Sequence, residues 1–239
     1  MAEIKKGKII VVEGTDCSGK ETQTSLLVQR LRRMGREIER LSFPMYETPT
    51  GRIIGGPYLG KSYIGEGYFP EGAADVDPKV ASLYYAADRR YNKHVIEGYI
   101  NNGVDVILDR YVESNMAHQG GKLFDKEERL KLYRSLEDLE YGFLELPKPD
   151  FTIFLYVPYD KVAELRGHRA EAPDQHESNP LHIRNAEHAY LELAELHNYQ
   201  MIKCVDKKGK LRDIENIQEE IFEIVANELE IEQKQLLKR

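Results

Sequence analysis

Lys8–Lys20 reads KIIVVEGTDCSGK, and this stretch decides the fold. Lys8–Val12 is a short apolar run rich in β-branched residues, the pattern of a strand buried on both faces. Gly14, Thr15, Asp16, Cys17, Ser18, Gly19 and Lys20 form a glycine-bounded turn. Lys20–Met34 then carries Leu26, Leu27 and Leu31 at helical spacing until Gly35 stops it. Four later runs repeat the strand pattern after or between helical segments: Ile38–Phe43, Val104–Leu108, Phe151–Val157 and Met201–Val205. Helices are predicted over Pro78–Asn101, Lys126–Leu144, Lys161–Arg166, Ile183–Asn198 and Asp213–Glu232. Alternating strands and helices imply an α/β fold, a parallel sheet with helices on both faces. Ligands bind such sheets at the carboxyl ends of the strands. The polar clusters fall there, after Val12, Phe43 and Leu108.

The 239 residues suit one domain, 1–239. With 34 Lys+Arg against 41 Asp+Glu the net charge is −7, and no basic block is present, which argues against nucleic-acid or anionic membrane partners. The two cysteines, Cys17 and Cys204, have no metal-type spacing and suit a reducing compartment. No apolar run approaches the roughly 20 residues that span a bilayer, so the expected location is the cytoplasm. Gly55–Gly72, with six glycines, and Gly167–Pro180, rich in charge, His and Pro, read as mobile loops.

A glycine turn between strand and helix is the setting of a phosphate-binding loop. Successive backbone N–H groups point inward, the helix N-terminus adds positive potential, and Lys20 can follow charge on the β- and γ-phosphates of ATP. The bland alternative is a strand-to-helix turn with no ligand. Ser or Thr is expected directly after the lysine, to reach Mg²⁺; here Glu21 stands there, followed by Thr22. A second cluster follows Leu108: Asp109, Arg110 and Tyr111, then Ser114, Asn115, His118 and Gln119. Asp109 suits hydrated Mg²⁺ and Arg110 suits a phosphate gripped in bidentate fashion. Taken alone, Asp-Arg-Tyr reads as structural ion pairing. Tyr85 and Arg89 sit at i and i+4, where they can stack a pyrimidine and read one edge of it. Their bland reading is a core tyrosine with a surface arginine.

Together these motifs resemble the thymidylate kinase family of nucleoside monophosphate kinases. The matching stretches, in order, are EGTDCSGKETQ, FPMYETPTG, YYAADRR, DRYVESNMAHQG, LPKPD and AYLELAE. The resemblance implies ATP-dependent phosphorylation of thymidylate (dTMP) to dTDP with Mg²⁺, and a homodimer. It implies that Gly14–Thr22 bind ATP. Asp16 would bond the acceptor's 3′-hydroxyl, with Phe43 and Tyr46 lining the acceptor site. Tyr85 would stack on thymine, Arg89 would bond a base carbonyl, and Arg110, beside Ser114, would hold the acceptor phosphate. Asn115 and Gln119 would lie at the base edge. The candidate metal residues, Asp109 and Glu21, are read from their own chemistry, a carboxylate at a strand end and one beside the phosphates. Residues 166–180 correspond to the family's lid, where Arg166 and Arg169 would supply charge that the P-loop lacks at Cys17. Glu21, Met45 and His118 depart from the family pattern. The rival readings are a kinase for another pyrimidine nucleotide or a nucleoside, and a catalytically silent nucleotide-binding regulator on the same fold.

Overall fold

The structure, a computed structural model, describes residues 5–166 and 174–231, with backbone alone over 163–166. Five parallel strands form one sheet in the order β2-β3-β1-β4-β5: β1 (Ile9–Gly14), β2 (Ile38–Ser42), β3 (Asp105–Asp109), β4 (Phe151–Tyr156) and β5 (Gln200–Lys203). β1 lies centrally, with Val12 beside Asp109 on one side and Gly14 beside Leu155 on the other. The β1 run is apolar without alternation because both its faces are covered. Ile10 and Val12 pack with Leu27, Leu31, Ile221 and Phe222, whereas Ile9 and Val11 pack with Ile96, Met116, Phe154 and Leu193. Successive side chains of a strand point to opposite faces, so one run supplies both cores.

The helices are α1 (Lys20–Arg33), α2 (Pro49–Ile53), α3 (Pro78–Asn101), α4 (Val112–Gly120), α5 (Lys126–Glu137), α6 (Tyr159–Arg166), α7 (Pro180–Leu196) and α8 (Ile214–Glu228). Asp77 caps α3 through Lys79 N and Val80 N, followed by Pro78 at the first helical position. The chain moves from β1 to the β2 edge, returns to β3, and then crosses to β4. That reversal opens a crevice at the carboxyl ends of β1 and β3.

Two segments differ in part from the sequence reading. Gly55–Gly72 is a loop only from residue 59 onward; its first residues are packed. Residues 54–58 form a π-helical turn, with Leu59 N bonded to Ile54 O at 2.8 Å, and Ile54, Tyr58, Leu59, Ala73, Val76 and Ala81 make a third small core. The glycines allow this packing: a Cβ at Gly55 would strike the Ile64 side chain at 2.2 Å. The predicted helix Lys126–Leu144 stops being α-helical at Glu137 and continues as a π turn, residues 138–143, with Leu144 N bonded to Leu139 O at 2.8 Å. The lid arginines fall outside what is described: Arg169 wholly, Arg166 in its side chain. The tail beyond residue 231 does so as well.

Candidate active site

The turn after β1 owes its shape to two glycines. A Cβ at Gly14 would meet Leu155 O at 2.7 Å, and Gly19 takes φ +77° at the start of α1. The Thr15 hydroxyl donates to Val157 O at 2.9 Å and accepts from Val157 N at 3.0 Å, which ties the turn to the end of β4. Lys20 is buried, and its ammonium donates to Gly14 O at 2.8 Å and Thr15 O at 3.0 Å. Burial, with the neighbouring Arg110 charge, lowers its pKa to about 8. Cys17 is partly buried; Glu21 and Thr22 are exposed in the first turn of α1.

Glu13, the last polar residue of β1 and fully buried, organises the second cluster. Its carboxylate accepts from Tyr111 N at 2.8 Å, Ser114 N at 3.1 Å, Ser114 Oγ at 2.6 Å and Tyr190 Oη at 3.1 Å. Burial pushes its pKa up, against the opposing pull of Arg110. These bonds fix the chain just after Arg110, whose backbone sits at φ +68° and whose own N–H donates to Val12 O at 3.2 Å. From there the Arg110 guanidinium reaches Asp16 Oδ1, Ser114 Oγ, His118 Nε2 and Tyr190 Oη, each at 3.3–3.4 Å. Asp109 points elsewhere and pairs with Arg40 of β2, whose Nε also donates to Thr24 Oγ1 at 2.7 Å.

Asp16, Phe43, Tyr46, Tyr85, Arg89, Arg110, Ser114 and Asn115 line one cavity, together with Lys61, Asp174, His176 and Glu177. Asp109 and Gln119 are set back from it. Buried Asp88 shapes the cavity's mouth by accepting from Met45 N at 2.9 Å and Thr50 Oγ1 at 2.8 Å, and so fixes the turn that carries Tyr46. Arg89 is buried rather than on the surface. It forms a bidentate pair with fully buried Glu140 through Nε and, at 2.7 Å, Nη2, and its Nη1 donates to Tyr111 O at 3.3 Å. Asn115 Nδ2 donates to the same Glu140 at 3.0 Å and to Ser82 O at 3.2 Å; its Oδ1 is buried with no partner among the described residues. Gln119 is fully buried with its amide beside the Tyr58 hydroxyl. Lys61, from the packed glycine segment, pairs with Asp174 at 3.0 Å and lies over the Tyr46 ring.

Sequence reasoning named eight of the residues that line the cavity but missed Lys61, Asp174, His176 and Glu177 on its wall, and Glu13, Arg40, Asp88, Glu140 and Tyr190, which hold the site's side chains. It also missed a stack of three histidines. His118 and His182 lie 5.4 Å apart between ring centroids, and His176 and His182 4.2 Å. Burial keeps all three well below the ordinary imidazole pKa, helped by Arg110 at His118 and by Lys122 at His176 and His182.

The family model described as thymidylate kinase matches residues 12–221. The chain belongs to the thymidylate kinase family. It is 33% identical over 171 residues to the thymidylate kinase of Schizosaccharomyces pombe, covering 72% of this chain and 70% of that one. It is also 33% identical over 194 residues to a probable thymidylate kinase of Pyrobaculum aerophilum, covering 81% and 86%. A solved thymidylate kinase structure from Candida albicans superposes with a TM-score of 0.69 at 24% identity, over 94% of this chain and 93% of that one, and so shares the fold. Among the described residues, no helix is long and apolar enough to cross a membrane.

Proposed function

We propose that this kinase transfers the γ-phosphate of ATP to dTMP in the cavity lined by Arg89, Asn115 and Arg110. The observation that carries the choice of base is the order of hydrogen-bonding groups on the inner wall. Glu140 and Ser82 take the Asn115 amide hydrogens, which fixes Oδ1 as the group left over, a buried acceptor. Beside it Arg89 has five N–H groups, of which three are spent on Glu140 and Tyr111. Donor next to acceptor matches the O4 and N3–H of thymine or uracil. Cytosine presents the reverse pair, and each mismatch would strand a buried polar group.

An acceptor phosphate oxygen is already nucleophilic, so the reaction needs no general base and passes through no covalent intermediate. Arg110 holds the acceptor phosphate, with Tyr46 near that phosphate, Asp16 on the sugar hydroxyl, Phe43 lining the acceptor site and Tyr85 stacked on the base. Gly14–Thr22 cradle the nucleotide, and Lys20 exchanges its loop carbonyls for phosphate oxygens. Arg166 and Arg169 add charge from a lid over residues 166–180. The oxygen donors near the phosphates suit a hard cation: the Asp109 charge is close enough to act on both Lys20 and Arg110, and Glu21 lies in the first turn of α1. Mg²⁺ bound there would neutralise developing charge on the transferred group. We place this single-domain enzyme in the cytoplasm, in keeping with its two free cysteines. A homodimer is supported by exposed Val80, Leu83 and Tyr91 on one side of α3.

A coupled ADP-release assay with ATP, Mg²⁺ and a panel of nucleoside monophosphates tests the reading. dTMP should be preferred, with dUMP ahead of dCMP. A preference for dCMP would overturn the base assignment, and no ADP release with any acceptor would leave the silent regulator.

A further inference from the structure

Three histidines from three separate elements meet at the wall of the acceptor cavity: His118 of α4 and His176 from the segment before α7, which both line it, and His182 in the first turn of α7 behind them. One nitrogen from each ring lies within 4.8 Å of the other two. We propose that His118, His176 and His182 bind a transition-metal dication such as Zn²⁺ or Ni²⁺, at a site separate from the one that serves the nucleotide's Mg²⁺.

Imidazole nitrogens suit Zn²⁺, Ni²⁺ and Cu²⁺, whereas Mg²⁺ takes oxygen ligands, so this all-nitrogen set discriminates by chemistry. The geometry is close to what a metal requires. His118 Nδ1 and His182 Nε2 are 3.2 Å apart, and two nitrogens bound tetrahedrally at roughly 2.0 Å stand about 3.3 Å from each other. His176 stacks on His182, and its Nε2 lies 3.0 Å from the Tyr58 hydroxyl and 3.2 Å from Ala73 O, so it joins them through Nδ1 or by giving up these partners. The rings are neutral, which is the ligating form. Phenyl rings would stack as readily, but would forfeit the bonds of His118 to Arg110 and of His176 to Tyr58 and Ala73 O, so the imidazoles serve polar contacts as well as packing.

The metal would compete with a hydrogen-bond chain. Arg110 can only donate, so its 3.3 Å contact makes His118 Nε2 an acceptor and leaves the ring proton on Nδ1, from which it bonds His182 Nε2. A metal on His118 Nδ1 moves that proton to Nε2 and releases Arg110. Two cations flank the cluster: Arg110, and Lys122, whose Nζ is 3.2 Å from the Tyr58 hydroxyl that contacts His176. Their repulsion, offset in part by Asp16, sets the affinity below that of a closed structural zinc site. The bound ion would clasp the segment carrying Asp174 and Glu177, both in the cavity wall, to α4 and α7.

Isothermal titration of Ni²⁺ into the intact protein at neutral pH with Mg²⁺ in excess tests this without reference to catalysis. Wild type should take up one Ni²⁺ per chain. His182→Phe keeps a flat ring but no ligand, and should weaken binding by about thirtyfold or more. Co²⁺ absorption on wild type alone provides a check that no variant needs to fold for: nitrogen ligation should give visible ligand-field bands that Zn²⁺ abolishes. Undiminished Ni²⁺ uptake by folded His182→Phe, or an aqua-ion Co²⁺ spectrum with wild type, overturns the proposal.

Discussion

Replacing Glu140 by alanine should damage stability and acceptor binding together. Its carboxylate is fully buried and accepts two N–H groups of Arg89 and one of Asn115. Without it the guanidinium, itself 2% exposed, keeps only the Tyr111 carbonyl among the bonds described here. Removing one partner of a buried ion pair costs about 3–5 kcal/mol, because the other charge is left uncompensated. In a chain of this length that corresponds to a fall in Tm of about 10 °C. Arg89 and Asn115 also lose their fixed positions at the cavity, so KM for dTMP should rise about tenfold or more, equivalent to about 1.4 kcal/mol, while KM for ATP holds. Removing both charges separates the two effects. Arg89→Met combined with Glu140→Leu should melt closer to wild type than Glu140→Ala, yet keep the weak acceptor binding. Thermal melts by circular dichroism and steady-state kinetics at saturating ATP measure both quantities. A Glu140→Ala protein that melts within about 2 °C of wild type with unchanged acceptor KM would refute the reasoning.

Lys20, with its pKa lowered to about 8, should lose its charge at mildly alkaline pH, so kcat/KM for ATP falls above that pH; Lys20→Ala should abolish transfer while leaving the melt unchanged. A flat alkaline limb, or turnover in Lys20→Ala, would contradict this. Buried Glu113 has its pKa raised from 4.5 to about 8 by burial and the Glu13 charge, so the folded state holds a proton that the unfolded chain gives up. The stability this carries is complete below pH 4.5 and lost as pH rises through about 8. Glu113→Gln should therefore gain roughly 3–5 kcal/mol over wild type above that pH in urea titrations, and show no gain at pH 4. Glu21→Ser should keep activity, with at most a shifted Mg²⁺ dependence. A rise of orders of magnitude from a negligible start would instead mean that the natural protein is a silenced kinase.

What could be read from the sequence was local. The β-branched runs gave the strands because both faces of this sheet are covered, and Asp77-Pro78 marked the start of α3. The glycines of the first turn announced a chain that must pass close to Leu155. What could not be read was which charge meets which. Glu140 lies 51 residues beyond Arg89, in a segment whose periodicity continues a helix. The π turn there adds a residue to the turn and changes which side chains face inward, and no local pattern marks it. Arg40 and Asp109 are joined across neighbouring strands 69 residues apart. The glycine-rich stretch departs from its reading only at its start. Residues 59–72 are irregular, as their composition suggests, but the glycines before them let Tyr58 and Ile64 pack against backbone.

The left-handed backbone at Arg110 sets a limit on how this protein can vary. A non-glycine residue at φ +68° costs about 1–2 kcal/mol, which the bonds from Glu13 to Tyr111 N and Ser114 N, with the Arg110 N–H on Val12 O, must outweigh. Glycine is the residue that backbone favours, and it is also the one that discards the guanidinium. Drift toward greater thermal stability at this position therefore runs directly into loss of the phosphate contact. The stability difference between Arg110→Gly and Arg110→Ala, both without the charge, would give the size of that antagonism.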